Sequence, residues 1–539
     1  MQRAFGLFVA VAAIIGAWWW WLGADVAMPP SPLAKGERLQ CVSYAPFRDR
    51  QTPLDFTTRI SAAQIDDDLS RLAKLTDCIR IYSVDVGLDQ VPAIAERHGL
   101  KVLLGIWVSN RRDRTAWQIK TGVALAKRFP DTVQAVIVGN EVLLRGEVTA
   151  ETLAGYIREV KADVRQPVTY ADVWEFWIRN APLAQSVDFI TIHILPFWED
   201  HPIPADQAAD HILSIHAHVA EAFPGRNLLI GEVGWPSAGR MREGALPSPA
   251  SQALVMHNLL AGTKAGSIRL NVIEAFDQPW KRLLEGTVGG HWGLITDPPR
   301  RFKFAWGQPV SNHPHWRWQA LGGILFAGLV FGAAGLAWQR RAPSESVGQA
   351  WLAVAAIALI AGATIGWTIE NALLESLGWS GQLRSAALIA IAVGAPLAVA
   401  AAIGSQIRPA AFADLLGGSI NDSGLRRGSP LRFALALLMV ATTVVALQAA
   451  LSFAFNPRYL DFPFAPLTAA VVPFLILTLR SGEGRHVRAM SEMAAAAILV
   501  PCAFYTAWHE GAANWQSLWF CAALLGLAIT LARARVAPG

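Results

Sequence analysis

Long apolar runs lie at the beginning of the chain and over its last part. Eight of them are about 17–25 residues long, the length that a helix needs to cross a bilayer. They cover residues 5–23, 320–338, 350–368, 385–404, 433–453, 463–479, 489–508 and 515–531. The sixth run is short and contains Pro463, Pro466 and Pro473, so its boundaries are the least defined. The pattern predicts one N-terminal and seven C-terminal transmembrane helices.

Between these ends, short apolar stretches alternate with amphipathic helical patterns. The predicted strands cover residues 40–46, 78–84, 101–107, 135–140, 167–171, 189–193, 228–232 and 272–276. The predicted helices cover 61–75, 90–98, 115–129, 150–165, 206–222 and 250–262, the last beginning near Ser251 behind Pro247 and Pro249. Parallel strands buried on both faces are apolar and β-branched, as most of these are. Eight strands with intervening helices predict an α/β fold, a (β/α)8 TIM barrel.

We therefore expect three domains: an N-terminal transmembrane anchor at 1–27, a barrel at 28–318 and a multi-span transmembrane domain at 319–539. The composition agrees, since 53% of the 539 residues are hydrophobic, only 16% are charged and the mean hydropathy is +0.33. A soluble protein carries about a quarter charged residues. Abundant large apolar residues and aperiodic prolines exclude a disordered or fibrous chain.

The arginines beside the apolar runs indicate the orientation. With the N-terminus in the cytoplasm, only Arg384 and Arg458 flank the C-terminal runs on the outer side. The inner side then carries Arg3, Arg340, Arg341, Arg408, Arg426, Arg427, Arg432, Arg480, Arg485, Arg488, Arg533 and Arg535. This asymmetry follows the positive-inside rule and requires an even number of spans. It predicts a multi-pass membrane protein whose barrel lies outside the cytoplasm.

Two further features bear on this topology. Tryptophans at 18–21 lie at the outer end of the first run, where indoles prefer the headgroup region. A cleaved signal peptide is the alternative for this end, because Ala24 and Ala27 are small, although the tryptophan run is bulky for a cleavage site. The net charge of +5 is explained by the topology, so nucleic acid is not an expected partner.

The four cysteines are too few for a disulfide scaffold. Cys41 and Cys78 fall on adjacent predicted strands outside the cytoplasm. Both a disulfide and two free core cysteines remain open for this pair.

Polar and aromatic residues cluster where the predicted strands end, which is where barrels carry their chemistry. They are Tyr44, Arg80, Tyr82, Trp107, Asn140, Glu141, Tyr170, Asp172, His193, Glu232, Glu274 and Asp277. Glu141 and Glu232 directly follow buried runs on the fourth and seventh strands and would face each other across one cleft. A carboxylate in such a place is costly unless it is partnered or functional. Retaining glycoside hydrolysis uses two carboxyl groups about 5–5.5 Å apart.

The segments around these glutamates are VGNEV at 138–142 and GEVGWPSAG at 231–239. They resemble the two catalytic segments of glycoside hydrolase family 17, the β-1,3-glucanase family. RIYSVD at 80–85 and EAFDQPWK at 274–281 are similar to that family's second and eighth strands. The resemblance covers most of residues 40–304 and implies a retaining glycosidase on β-glucan, without metal or cofactor.

Carried over residue by residue, the resemblance makes Glu232 the nucleophile and Glu141 the general acid/base, which its surroundings would keep protonated. It implies that Asn140 holds the substrate 2-hydroxyl. We expect the substrate-binding side chains to be Tyr44, Arg80, Tyr82, Trp107, Asn140, Tyr170, His193, Trp235, Glu274, Asp277, Trp280 and Lys281. Tryptophans dense near the strand ends suit an oligosaccharide cleft; these are Trp107, Trp174, Trp177, Trp198, Trp235, Trp280 and Trp292.

The C-terminal spans depart from the secreted plant members of the family. They resemble bacterial family-17-like membrane proteins linked to periplasmic or cyclic β-1,3/β-1,6-glucan, in which such a barrel is thought to be a glucanosyltransferase. NPRYLDFPFAPL at 456–467 and EGAANWQ at 510–516 are similar to that subgroup. No nucleotide-sugar synthase motif is visible in the sequence. The expected partners are therefore β-glucan, the lipid bilayer and a separate glucan synthase.

Several alternatives stand beside this interpretation. The two glutamates could be structural strand-end carboxylates, His193 a satisfied core histidine, and the aromatic residues packing. His211, His216 and His218 are spaced as metal ligands can be, but they lie on an amphipathic helix without carboxylate support. A solvated or partly buried helix face explains them better. The chain could hydrolyse β-1,3-glucan without transfer. It could also be a glucan-binding or export module with little turnover, because one helix would suffice as an anchor.

Overall fold

The computed structural model describes residues 2–339, 347–405, 407, 430–480 and 487–536. The chain divides into two compact units. One comprises Val26–Gly239 and Gly244–Val310, and the other comprises Met1–Asp25, Arg240–Glu243 and Ser311–Gly539.

The first unit is built on eight parallel strands that close into a barrel. They are β1 Val42–Ser43, β2 Cys78–Ile81, β3 Lys101–Ile106, β4 Val133–Asn140, β5 Val168–Val173, β6 Ile190–His193, β7 Leu228–Val233 and β8 Leu270–Val272. Neighbours along the chain pair in parallel, and Val42 of β1 closes the ring against Val272 of β8. The predicted TIM barrel is confirmed. β8 ends before its predicted boundary, because Phe276 bridges to Ile295 outside the barrel strands.

Helices follow the strands around the barrel. They are Ala62–Leu72, Val91–Arg97, Arg112–Arg128, Ala150–Asp163, Trp174–Arg179, Ala208–Ala222, Pro249–Ala265 and Arg282–Gly289, with 3-10 turns at Leu88–Gln90, Ala181–Gln185 and Pro279–Lys281. Side-chain caps fix several starts: the Ser248 hydroxyl accepts from the Ser251 amide, so that helix begins at Pro249. Trp174–Arg179 and Arg282–Gly289 were not predicted, because elements this short show too little of the helical period.

Strand side chains alternate between two environments. On β3, Val102 and Leu104 belong to the large apolar cluster that includes residues of the surrounding helices, while Leu103 belongs to a smaller cluster with Cys41 and Cys78. Those two cysteines form a disulfide, so the structure contains the bonded state of the pair. Other buried positions on the strands are polar, among them Ser43, Arg80, Thr169, Thr191 and Asn271.

The second unit is helical. Its long elements are Gln2–Leu22, Trp316–Trp338, Val347–Glu375, Gly378–Ser405, Pro430–Phe455, Phe464–Arg480, Met490–Glu510 and Trp515–Ala532. Six of them coincide with predicted apolar runs to within four residues, whereas Val347–Glu375 ends seven residues after its predicted run and Gly378–Ser405 begins seven residues before its own. Within the described residues, seven are long and apolar enough to cross a membrane, and Phe464–Arg480, with Pro473 inside it, is shorter. The unit therefore has the character of a membrane-embedded helical domain.

Short strands complete the described elements: Asp25–Val26, Val310–Ser311, Val487–Arg488 and Arg535–Val536. The last two pair antiparallel. Of the arginines used for the orientation, Arg340, Arg341, Arg408, Arg426, Arg427 and Arg485 lie outside the described residues.

Small residues let two of the long helices approach closely. A Cβ on Gly323 would lie 2.3 Å from the carbonyl oxygen of Gly362, and one on Gly362 would lie 2.6 Å from that of Gly323. Such glycine contacts are typical of helix packing in lipid, where van der Waals contact replaces the hydrophobic effect between helices.

A buried ion pair ties segment Arg240–Glu243 into the helical unit. The Arg240 guanidinium donates to the carboxylate of Glu510, and the two side chains are only 3% and 5% exposed. The same guanidinium lies 4.9 Å from the Phe462 ring. The backbone of Met241 is held on both sides, because its amide donates to Gln516 at 2.8 Å and its carbonyl accepts from Asn514 at 3.0 Å.

We predict that Glu510→Gln destabilises the chain markedly. Removing one partner of a buried pair leaves an uncompensated charge, at a cost of about 3–5 kcal/mol. The midpoint of thermal unfolding of the full chain in detergent, read by tryptophan fluorescence, should fall. Asp163→Asn breaks the exposed pair with Lys127 and should change little. Equal midpoints for both variants would contradict a stabilising role for the buried pair.

Candidate active site

Strand ends of the barrel converge on one buried cation. Arg80, on β2, is 1% exposed. Its Nη1 donates to the Gly231 carbonyl at 2.7 Å and to Glu232 Oε1 at 3.3 Å, both on β7. Its Nη2 donates to the side-chain oxygen of Asn140 at the end of β4. The guanidinium thus links β2, β4 and β7 and places a fixed positive charge against Glu232.

His193, at the end of β6, joins the two glutamates. Its Nδ1 lies 2.8 Å from Glu141 Oε1, and its Nε2 lies 3.3 Å from Arg80 Nη1 and 3.6 Å from Glu232 Oε1. Because a carboxylate can only accept, Nδ1 donates to Glu141, while Nε2 faces the Arg80 guanidinium and Glu232. His193 is wholly buried and both of its ring nitrogens face site residues.

Glu141 stands on a turn with unusual backbone geometry. Its φ is +51°, in the left-handed region, and its amide donates to the Ala171 carbonyl of β5 at 2.8 Å. Gly139 has φ +89°, and a Cβ there would lie 2.6 Å from a methyl carbon of Val142. The turn therefore requires glycine in the VGNEV segment, and it aims the Glu141 side chain, 22% exposed, beside Glu232, 6% exposed.

The pKa of Glu141 reflects these neighbours. Burial raises the pKa of its carboxyl, but the hydrogen bond from His193 and the electrostatic attraction of His193, Arg80 and Arg145 outweigh burial, so the pKa lies below its ordinary value. The expectation that the surroundings keep Glu141 protonated is therefore wrong for this structure.

The two glutamates and His193 offer donor atoms that all lie within 4.8 Å of one another, a spacing that could hold a metal ion. The Arg80 cation at 3.3 Å from both Glu232 and His193 disfavours a second cation there. Among the described residues the histidines of helix Ala208–Ala222 belong to no such group. His211 instead pairs with Glu199 at 3.4 Å.

Tyr170 and Asp172, on the neighbouring strand β5, hold the turn that carries Glu141. The Tyr170 hydroxyl accepts from the Leu143 amide at 3.0 Å and donates to Asp172, which also accepts from the Val173 amide at 2.8 Å. Burial raises the pKa of the Asp172 carboxyl to about 6, although the bond from Tyr170 opposes it. Tyr170 is 1% exposed and packs against Trp177. It therefore lies in the wall of the site.

A second ion pair follows β8. Lys281 Nζ lies 2.9 Å from Glu274 Oε1, and Glu274 is 1% exposed. Burial raises the pKa of Glu274 to about 7, while Lys281 lowers it. Asp277 is held separately, by Lys303 at 2.7 Å and by the Gly293 amide at 3.0 Å. Two lysine–carboxylate pairs, Lys281–Glu274 and Lys303–Asp277, therefore follow β8.

The predicted binding residues divide by exposure. Those that are partly exposed are Tyr82, Trp107, Asn140, Trp280 and Lys281, and those that are buried are Tyr44, Arg80, Tyr170, His193, Trp235, Glu274 and Asp277. Tyr44 donates to Asp68 at 3.0 Å, and Trp235 donates to the Leu246 carbonyl at 3.1 Å. Of the other tryptophans, Trp174 and Trp198 are partly exposed, whereas Trp177 and Trp292 are buried. The roles of these residues in substrate binding stay predictions.

Three residues of the site were missed by sequence reasoning. Arg145 contacts the Asn140 carbonyl, Lys303 contacts Asp277, and Asn271 donates to both Ser43 and Gly231. Asn271 lies on β8 itself, where a polar residue in an apolar run was the available signal. The other two reach the site from loops, whose paths the strand pattern does not give.

The barrel residues are similar to known proteins. Residues 41–293 match the family model described as the BtgE/BtgC glycoside hydrolase domain. A probable beta-glucosidase btgE of Neosartorya fischeri is 27% identical over 226 residues, which cover 40% of this chain and 40% of that protein. A glucan 1,3-beta-glucosidase of Saccharomyces cerevisiae is 24% identical over 259 residues, 44% of this chain and 82% of that protein. The chain thus spans less than half the length of the Neosartorya relative.

Among solved structures, an active-site mutant of Rhizomucor miehei beta-1,3-glucanosyltransferase in complex with laminaritriose aligns with a TM-score of 0.44. The identity is 24%, over 50% of this chain and 97% of that chain. Residues 41–293 thus resemble this glycoside hydrolase domain, and the family-17-like resemblance read from the motifs is confirmed. The membrane-fused bacterial subgroup stays a prediction.

We predict that Asp172 makes stability depend on pH. Its folded-state pKa of about 6 lies above the ordinary 3.8, so its contribution is fully present below pH 3.8 and is lost as the pH rises through 6. Asp172→Asn cannot ionise, so its stability relative to wild type should rise across this window, by about 3 kcal/mol at most. Urea unfolding of the full chain in detergent at several pH values measures the difference. The exposed variant Asp163→Asn should show a constant difference, and so would Asp172→Asn if this assignment is wrong.

Proposed function

We propose that the chain is a membrane-anchored, retaining β-glucan transglycosylase that remodels β-1,3-glucan on the periplasmic face of the bacterial inner membrane and can form β-1,6 linkages. The observation that carries the proposal is the placement of Glu141 and Glu232 at the ends of β4 and β7, with carboxylate oxygens within 4.8 Å. Inverting enzymes need about 6.5–9.5 Å to admit a water between their carboxyl groups, whereas retaining enzymes need about 5–5.5 Å. The spacing therefore supports a covalent intermediate.

In the first step, Glu232 attacks the anomeric carbon and the glycosidic C–O bond breaks. The leaving oxygen takes the proton of Glu141, and a glycosyl ester on Glu232 results. Arg80 supports this role of Glu232, because its guanidinium forms an ion pair with the carboxylate at 3.3 Å. His193 occupies Oε1 of Glu141, which leaves Oε2 to carry the proton.

In the second step, Glu141 removes a proton from the incoming hydroxyl, whose oxygen attacks the anomeric carbon as the ester bond breaks. Because the pKa of Glu141 is lowered, a smaller fraction of this group carries the proton needed for the first step at neutral pH. We therefore expect the activity to have an acidic pH optimum. Transfer results when the hydroxyl belongs to a sugar, and hydrolysis when it belongs to water. The partly exposed Trp107, Trp174, Trp198 and Trp280 support a role for stacked sugars.

The domain arrangement belongs to the proposal as well: an anchor at 1–27, a periplasmic barrel at 28–318 and a membrane domain at 319–539. The Cys41–Cys78 disulfide supports an oxidising compartment for the barrel. The arginine asymmetry and the tryptophans at 18–21 support the same orientation. A separate synthase would supply the glucan.

We predict that the full chain converts β-1,3-gluco-oligosaccharides into products longer than the substrate. Glu232→Gln should abolish all turnover, because no nucleophile remains, and Glu141→Gln should lower it about 10²–10⁴-fold. Mass spectrometry with linkage analysis measures the products. Glu151→Gln, the same change at an exposed helical position, is the control.

Shorter products alone, lost in Glu232→Gln, would leave a hydrolase and overturn the transfer. Undiminished oligosaccharide binding together with no turnover in the wild type would favour a glucan-binding or export role. Activity that survives Glu232→Gln would contradict the assigned nucleophile.

We predict that the barrel disulfide forms in cells. Cells making the full chain are denatured in an alkylating reagent and the protein is mapped without reduction. Cys41 and Cys78 should be recovered as one linked pair, because the periplasm is oxidising. Cys502 and Cys521, free in the structure, provide an internal control and should be alkylated. Alkylation of all four cysteines would contradict the periplasmic placement.

A further inference from the structure

The turn that carries Glu141 is closed by its own backbone and needs outside support. The Arg145 amide donates to the Glu141 carbonyl at 2.9 Å, and the Glu147 amide donates to the Val142 carbonyl at 3.0 Å. A left-handed φ at a residue with a Cβ costs about 1–2 kcal/mol. Such a conformation persists only where surrounding contacts over-determine it.

The Arg145 guanidinium supplies those contacts. Its Nε and Nη2 donate to the Asn140 carbonyl at 3.2 and 2.9 Å, directly before Glu141. Nη2 also donates to the Val108 carbonyl at 3.1 Å, just beyond β3. One side chain therefore fixes the end of β4 to the end of β3.

The outer side of this guanidinium is held as well. Its Nη1 donates to Glu147 at 2.7 Å, and Glu147 accepts from the Asn110 amide at 2.9 Å. The Arg145 Cζ lies 4.2 Å from the centre of the Trp107 ring. The Arg145 and Glu147 side chains are 24% and 20% exposed. The arrangement uses the fork of an arginine, which a lysine ammonium does not reproduce.

We propose that Arg145 is a positioning residue that fixes the Asn140–Glu141 turn and the Trp107 ring relative to each other. The proposal rests on the function proposed above for its catalytic consequence, and on the contacts alone for the order of the turn. Arg145 acts through Glu141 and Trp107 and does not itself contact the reacting atoms.

Charge and shape can be separated by two substitutions. Arg145 is one of the charges that lower the pKa of Glu141. Arg145→Met removes charge and fork, so the pKa of Glu141 should rise and the alkaline limb of the activity profile should move to higher pH. Arg145→Lys keeps the charge and loses the fork, so the limb should stay in place. Both should lose about 10–100-fold in kcat, because small misplacements of a catalytic group are costly.

The test uses the full chain in detergent, with the same two changes at the exposed Arg165 as controls. Hydrogen exchange is followed for peptides covering residues 138–147 and 228–236, and kcat and KM are measured against pH on β-1,3-gluco-oligosaccharides. We expect both Arg145 variants to exchange faster over 138–147 but not over 228–236, with the alkaline limb moved only in Arg145→Met. If these variants fail to fold, Glu147→Gln, which removes only the outer support, should give a smaller change of the same kind.

Unchanged exchange over 138–147 would overturn the proposal, and so would unchanged kcat in an active enzyme. Faster exchange over 138–147 in a chain whose wild type turns over no glucan would support the positioning of the turn and overturn the proposed transglycosylase. An equal pH shift in Arg145→Lys and Arg145→Met would contradict the separation of fork and charge.

Discussion

The barrel is organised around a buried positive charge that must be compensated. Arg80 is 1% exposed, and an unpaired ion in such a place costs several kcal/mol. Its compensation comes from the carbonyl of Gly231, the side chains of Asn140 and Glu232, and the acceptor nitrogen of His193. Because Arg80 lies on β2 and these groups lie on β4, β6 and β7, satisfying one guanidinium also fixes the ends of these four strands against one another.

The same cation gives two chemically identical carboxyl groups different surroundings. Glu232 is paired with Arg80 directly, whereas Glu141 meets it only through the imidazole of His193. His193 lies between the two carboxyl groups, with Nδ1 at 2.8 Å from Glu141 and Nε2 at 3.6 Å from Glu232. Pairs of titratable groups with unlike environments are what acid–base chemistry at one site requires.

The periodicity of the sequence carries most of the fold. Strand and span patterns place the eight barrel strands and the eight long apolar helices of the described residues, because burial on both faces or in lipid leaves a long apolar signature. The boundaries of strands β1 and β8 were less well predicted, because these strands pair over only a few residues. Beyond β8, Phe276 forms a bridge to Ile295, outside the barrel strands. The placement of Glu141 and Glu232 beside each other was predictable, because a carboxylate directly after a buried run is rare unless it has a role.

Other features depend on distances that a sequence does not contain. Tyr44 and Trp235 look like sugar contacts at strand ends, yet their polar atoms bond to Asp68 and Leu246 within the barrel unit. The sequence could not decide between a disulfide and two free thiols. Adjacent strands bring Cys41 and Cys78 near each other, but a sequence does not contain the distance and direction between their side chains. Lys303 meets Asp277 only through the path of a loop.

The backbone at Glu141 shows why such a site needs a rigid frame. A left-handed turn moves the carboxylate out of the strand direction, and its cost must be met by contacts that do not themselves react. Here the glycine at 139, the Tyr170 hydroxyl and the β5 carbonyl of Ala171 each hold one part of the turn. Because these groups belong to strands of a closed barrel, the strained residue is fixed by the fold, which is how a short loop can present a catalytic side chain with little freedom.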